Sequence, residues 1–372
     1  MNTKKILVCP DSFKGTLTAA EAGRAIAGGL DGFPTEVIPI ADGGEGTLAA
    51  LCAGGEQVSL TVSDPLFRRI GAEYGILPGK EPTAVIEMAR AAGLTLLAEE
   101  ERCAGKTTTC GVGEIIADAL GRGVRKILLT VGGSATNDGG CGMMAALGAV
   151  FRDESGNSFV PTGFTLGKIA SADFSSVLPA LFEAEIVIAA DVRNPLLGPT
   201  GATAVYGKQK GGDSFDVIEA GMARYAALLP RPVASLPGAG AAGGIAAPLL
   251  ALTGAKIVPG IDAVLDAVGF EEKLRDAFLV ITGEGKTDEQ SVNGKAVSGV
   301  SRRAERHGVP VFCLSGGIGG DREELKRALG LAGLFALTDR CPLEECLNHP
   351  AILLEETARS LSGAVSAFLK GD

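Results

Sequence analysis

The sequence predicts a two-domain α/β protein: a Rossmann/flavodoxin-like parallel-sheet domain formed by both chain ends, and an inserted α/β domain with a mixed sheet. Three observations carry this expectation. Short apolar runs alternate with helical stretches at both ends of the chain. The middle breaks that alternation with period-two segments joined through Pro and Gly. Finally, 372 residues exceed what one ordinary core absorbs and suit two domains. The expected boundaries are residues 1–60 plus 271–372 for the discontinuous domain and 61–270 for the insert. An active site is expected in the cleft between them.

Each element has its own reason. Lys4 to Cys9 (KKILVC) is a short apolar run fit for a buried parallel strand. Thr18 and Glu21 have capping-box spacing for a helix reaching about Leu30. Glu36 to Ile40 reads as a second strand, ending in ADGGEGT before an Ala/Leu helix. VSLTVSD, RRIGAEYGIL and TAVIEM, between Val58 and Met88, predict an antiparallel meander; Pro65, Pro78, Gly79 and Pro82 sit in their connections. A helix over Val112–Leu120 and strands at Arg125–Val131 and Ala184–Ala190 fill the middle. The last hundred residues return to β/α alternation, with strands at Phe278–Thr282, Val309–Leu314 and Leu334–Thr338.

Composition narrows the function. Hydrophobic content of 46% and 54 glycines without low-complexity tracts describe a loop-rich globular protein. A net charge of −10 argues against a nucleic-acid partner, which would want a basic face. No apolar run reaches the roughly 20 residues that span a bilayer, so no membrane partner is expected. The eight cysteines include no CxxC pair, and His307 and His349 are the only histidines, which disfavours a Cys/His zinc site. With no signal peptide ahead of the first strand, a cytoplasmic location is the expectation.

The densest signal is TVGGSATNDGGCG, Thr130 to Gly142, between a strand-like and a helical run. Glycines let backbone amides converge on an anion, and a following helix start favours negative charge there. Five more predicted strand ends finish in similar groups. They offer Asp11, Ser12 and Lys14; Asp42 and Glu45; Asp191, Arg193 and Asn194, with Lys208 and Lys210 further on; Glu284, Lys286 and Asp288; and the SGG after Leu314. Carboxylates, lysines and glycine nests without a GxSxG elbow are the equipment of phosphoryl transfer, which is largely positioning and charge neutralisation.

Two motifs point elsewhere. Gly285-Lys286-Thr287 has the tail of a Walker A loop, but the required earlier glycine is Val280. Gly238 to Gly243 (GAGAAG) matches a dinucleotide fingerprint, with Asp262 about twenty residues on. Its preceding VASLP is a poor strand, so close helix packing explains it equally well, and a nicotinamide-dependent hydroxy-acid dehydrogenase stays as a rival reading.

DSFKGTLTAAEA, PIADGGEGT, GGSATNDGG, DVRNPLLGPTGATAVYGKQKG, GAGAAGG and ITGEGKTDEQSVNGKA follow in this order. Together they resemble the bacterial glycerate kinase family, the type unrelated to P-loop and ribokinase-like kinases, over essentially the whole chain. The resemblance implies ATP-dependent phosphorylation of D-glycerate, usually at the 2-hydroxyl, in two α/β domains. Cys141 and Arg193 depart from the family pattern, where a small and an acidic residue are expected. A kinase for another small hydroxy acid is the nearest alternative. Oligomeric state stays open, a homodimer included.

The chemistry then suggests roles. Asp191 is the expected general base for the substrate hydroxyl, and Asp42 the Mg²⁺-associated carboxylate. Lys14 and Lys286 are expected to neutralise phosphate or the substrate carboxylate. Gly132, Gly133, Ser134, Thr136 and Asn137 are expected to cradle the anion of ATP, with Asp288 also on the nucleotide.

Overall fold

The computed structural model describes residues 4–52, 55–79, 81–292 and 295–369; Asn293 and Gly294 of the last resemblance block lie outside them. In chain order the strands are β1 (Lys5–Pro10), β2 (Thr35–Val37), β3 (Glu56–Ser63), β4 (Arg69–Leu77), β5 (Thr83–Glu87), β6 (Lys126–Thr130) and β7 (Val150–Arg152). They continue as β8 (Ser158–Phe159), β9 (Ser171–Asp173), β10 (Glu185–Ala189), β11 (Lys256–Val258), β12 (Ala277–Asp288), β13 (Val311–Gly319) and β14 (Gly333–Ala336). The chain divides into two compact units: Met1–Asp42 with Ala49–Ala53 and Val264–Asp372, and Gly43–Leu48 with Gly54–Ala263.

The first unit is built on a five-stranded, all-parallel sheet in the order β14-β13-β12-β1-β2. Counted along the unit, that is the flavodoxin-like order 2-1-3-4-5, whose direction of winding reverses between β1 and β12. Ligand crevices in such sheets open at the carboxyl ends of the two strands flanking the reversal. Ile6, Val8, Ile26, Leu279, Ile281, Leu314 and Leu354 share the unit's core. The helix Ala19–Gly28 opens with the expected capping box, Thr18 with Glu21. It packs on the long helix Pro350–Leu369 so closely that a Cβ on Gly29 would lie 2.1 Å from the Glu355 carbonyl oxygen.

Two strands run past their expected ends: β13, expected to stop at Leu314, reaches Gly319, so the SGG after Leu314 is strand. The strand expected to stop at Thr282 runs on to Asp288, so GEGKTD is strand and not loop. Pairing with β1 ends at Pro10–Gly283, whereas pairing with β13 continues to Asp288–Gly319. The extra length is a two-stranded ribbon rising beyond its neighbours. Glycine permits it: a Cβ on Gly283 would sit 2.3 Å from the Leu314 oxygen, and one on Gly316 would sit 2.5 Å from the Gly285 oxygen.

The second unit carries a mixed six-stranded sheet, β11-β10-β6-β5-β4-β3. The expected meander is present as β3–β4 and β4–β5 antiparallel pairs, but β5 then pairs parallel with β6 and joins the βαβ part. The helix Cys110–Gly121 covers this sheet, with Ile115 and Ile116 buried beside Leu129, Ile186 and Ile188. The small antiparallel sheet β8-β7-β9 has no counterpart in the sequence reading, because strands of two or three residues leave no periodic signal. Among the described residues no helix is long and apolar enough to cross a membrane.

Candidate active site

A cavity of about 570 Å³ opens at the carboxyl ends of β1 and β12, the winding reversal of the first unit. It is lined by Lys14, Asp42, Lys286 and Asp288, four residues given a role from the sequence, together with Asp11 and Glu284 of the strand-end inventory and Lys295. Local structure explains why each arrives there. After β1, the Asp11 amide donates to the Gly283 oxygen, and the chain then turns tightly through Phe13–Thr16. Gly15 takes φ +82° at the third position of that turn, which leaves Lys14 exposed at its tip. Phe13 is buried under the turn and anchors it. On the facing ribbon, Glu284, Lys286 and Asp288 stand at alternate positions, and all three border the cavity.

Charge in this cavity is unevenly solvated. Burial pushes the Asp11 carboxyl up to about 6; the Asp42 charge adds to this, while the Ser12 amide and Lys14 oppose it. Glu284 is also raised, chiefly by burial and further by Asp11, against hydrogen bonds from Ser291 and Thr287. Thr287 donates to Glu284 Oε1 at 3.0 Å and is in close contact with the Ser315 hydroxyl. Lys286 Nζ lies 3.2 Å from Asp288 Oδ2, and hydrogen bonds from the Gln290 amide and Lys286 hold Asp288 below the usual carboxylate range. Burial, reinforced by a neighbouring carboxylate, thus favours the neutral form of Asp11 and Glu284, which a cation placed beside them would reverse.

The Gly-rich segment belongs to the second unit, following β6. Its outer part is open, with Gly132 and Gly133 exposed and Ser134 nearly covered. A Cβ on Gly133 would meet Glu45 Oε1 at 2.8 Å, so the Gly43–Leu48 stretch lies against this part of the loop. The inner part is wholly buried. Asp138 accepts hydrogen bonds from the Thr109 amide and hydroxyl and from the Gly140 and Gly142 amides. The chain's own carboxylate thus takes the amides at the start of the helix Cys141–Ala146. Asn137 donates to Thr203 Oγ1, while Thr136 Oγ1 and Asn137 Oδ1 are buried without a partner. Lys210, also buried, donates to Ser134 Oγ at 2.8 Å and to the Thr136 carbonyl at 2.7 Å. Burial depresses its amine to about 7, against the pull of Asp138.

Asp191 stands exposed just past β10 in the same unit, where its Oδ1 accepts the Gly260 amide at 2.8 Å at the start of the helix Gly260–Ala267. GAGAAG follows no strand directly. A Cβ on Gly240 would meet the Pro195 oxygen at 2.1 Å and one on Gly243 the Thr136 oxygen at 2.0 Å, so its glycines serve close packing behind the Gly-rich loop. The Gly139 amide donates to the Gly243 oxygen across that contact.

The profile described as Glycerate kinase family matches residues 6–366. The chain belongs to the glycerate kinase family. It is 41% identical to a glycerate kinase of Halalkalibacterium halodurans, covering the whole of both chains. It is also 41% identical to a glycerate 2-kinase of Escherichia coli, over 85% of this chain and 86% of that one. A crystal structure provisionally named glycerate kinase 2, from Salmonella typhimurium LT2, matches 99% of this chain and 100% of its own, at 40% identity and a TM-score of 0.89.

In this member of the glycerate kinase family, sequence reasoning left Asp11 and Glu284 without a role although both stood in its strand-end inventory. The missing signal was burial: nothing in one dimension separates Glu284, nearly covered in a ribbon, from Lys286 two positions on, which is exposed. The sequence marks Lys210 only as a lysine after Asp191, because its contact with Ser134 spans 76 residues of chain.

Proposed function

We propose that this chain transfers the γ-phosphoryl group of ATP to a hydroxyl of D-glycerate, the 2-hydroxyl being favoured, with 2-phosphoglycerate as product. It is a phosphotransferase with an alcohol group as acceptor. The observation that carries the finer reading is the cavity at the winding reversal, which Lys14, Lys286 and Lys295 line together with Asp11 and Asp42.

The donor set fits Mg²⁺·ATP as substrate. Mg²⁺ ordinarily takes one or two protein carboxylates plus phosphate oxygens and keeps several waters. Asp11 and Asp42 meet that need, while among the described residues no cluster of three or more His, Cys, Asp or Glu forms a cage of its own. Asp42, with Asp11 beside it, would hold the ion, whose charge would offset that of the phosphate tail. Lys14 and Lys286 neutralise phosphate oxygens as point charges, and Asp288 steers the Lys286 ammonium through their ion pair. In the second unit, Gly132, Gly133 and Ser134 offer the exposed rim for an anion, with Thr136 and Asn137 supporting it from inside. Asp191, oriented by the Gly260 amide, takes the proton of the attacking hydroxyl.

The test is a coupled assay with ATP, Mg²⁺ and D-glycerate, followed by phosphorus NMR of the product. The expected product carries phosphate on C2. A resonance from the 3-phosphate would reassign the hydroxyl, and turnover confined to another hydroxy acid would replace the substrate. Absence of any phosphoryl transfer would overturn the reading.

A further inference from the structure

Part of the first-unit cavity is lined by apolar side chains and not by ionic groups. Beyond Lys286 its wall becomes Ile318 in β13, Leu337 directly after β14, then Leu343, Leu347 and Pro350. Leu343 and Leu347 are four residues apart on the helix Leu343–Asn348 and so share a face. They are 61% and 53% exposed, among the most exposed large apolar side chains of the described residues. Cys346, on the same helix, is buried and ties it to the unit's core, so the two leucines are held outward on a fixed support. D-Glycerate, oxygenated on every carbon, gains little from an apolar wall. A nucleoside gains much, because its base offers a flat surface whose burial is favourable. The apolar side chains and the lysines Lys14 and Lys286 line the same cavity, so one ligand can meet both.

Resting on the phosphotransfer reading above, we propose that Leu343 and Leu347 seat the nucleobase of the phosphoryl donor, so that its phosphate tail reaches Lys286 and Lys14 in the same cavity. The first unit is then the nucleotide-binding unit. Recognition of the base rests on apolar contact, with Thr338, on the same wall, as the neighbouring hydroxyl.

The test is equilibrium titration of the full chain with Mg·ADP and, separately, with magnesium pyrophosphate, which lacks the base. Wild type is compared with Leu343→Asp, Leu347→Asp and the milder Leu343→Ala/Leu347→Ala pair. Both side chains are exposed, so the folded state should survive, as unchanged melting temperatures would verify. The expected result is at least tenfold weaker Mg·ADP binding in each Asp variant, an intermediate loss in the Ala pair, and unchanged pyrophosphate binding. Wild type binding pyrophosphate as tightly as ADP would overturn the base subsite while leaving the phosphotransfer reading standing. So would Asp variants with undiminished ADP affinity; if these instead lost a self-associated form, the leucines would be a contact between copies. A wild type that binds neither ligand removes the phosphotransfer reading and the subsite with it.

Discussion

Lys210 and Ser134, 76 residues apart in sequence, meet at 2.8 Å inside the second unit, where the buried ammonium group also holds the Thr136 carbonyl. A lysine placed where water does not reach resists protonation, which is why its amine falls to about 7.

That depression has a definite sign for stability. Between about pH 7 and pH 10.4 the unfolded chain holds a proton on Lys210 that the folded chain lacks, so stability rises with pH across this window. Below pH 7 both states are charged and the dependence stops. Lys210→Met should remove this component. Wild type should gain about 2 kcal/mol more than the variant between pH 7 and pH 9, read from denaturant midpoints. Parallel pH profiles would show that Lys210 is not buried as described.

Asp11 carries the opposite sign. Its folded value of about 6 exceeds the usual 3.9, so its contribution is fully present below pH 4 and is lost as pH rises through 6. Asp11→Asn should therefore be more stable than wild type at pH 8, by about 3 kcal/mol at most, and nearly equal to it at pH 4. The same variant should lose Mg²⁺-dependent turnover. Greater stability together with full activity would make Asp11 a mere burden on the fold.

Asp191 permits its cap and its chemistry to be separated. Asparagine keeps an oxygen for the Gly260 amide, whereas alanine does not. Asp191→Asn should retain the wild-type melting temperature while turnover falls by about 10²–10⁴-fold. Asp191→Ala should lose similar activity and also about 1 kcal/mol of stability. Near-normal turnover in the asparagine variant would dismiss the base assignment.

Gly283→Ala should be among the most damaging single-methyl changes in the first unit. Its Cβ would lie 2.3 Å from the Leu314 carbonyl oxygen, so the β12–β13 ribbon must part. A cost of about 1–3 kcal/mol is expected, with phosphoryl transfer impaired because Lys286 and Asp288 ride on that ribbon. Wild-type melting and kinetics would show that the strands spread freely.

Cys341 Sγ and Cys346 Sγ lie 3.3 Å apart, close enough for oxidised glutathione to close them into a disulfide by exchange, releasing two glutathione thiols. Burial and Cys341 push the Cys346 thiol up to about 11, so closure should speed up as pH rises. Thiol counting should register two fewer free thiols in wild type and no closed bridge in Cys341→Ser. An unchanged count after prolonged exposure at pH 9 would refute the pairing.

Much of the fold was legible along the chain because its signals are local. Buried parallel strands read as apolar runs, the Thr18–Glu21 spacing announces a helix start, and Pro and Gly mark the meander between Val58 and Met88. The ribbon beyond Thr282 was not legible, since a glycine-rich segment reads as loop until a second glycine-rich strand, Gly316 to Gly319, is seen beside it. The glycines behind the Gly-rich loop likewise match a nucleotide fingerprint by letter, while their close packing on Thr136 and Pro195 is visible only in space.

The sequence by itself determined the α/β class, the family, and the residue types for phosphoryl transfer, because composition, periodicity and ordered motifs need no third dimension. Only the tertiary structure decided which of those groups are buried and which share a cavity. It brought Lys14, Asp42, Lys286 and Asp288 to one sheet reversal, turned the helix-start amides onto Asp138, and shut Lys210 away from water. Solvation and proximity set the charge state and reach of an ionisable group, and both depend on chain segments hundreds of residues apart.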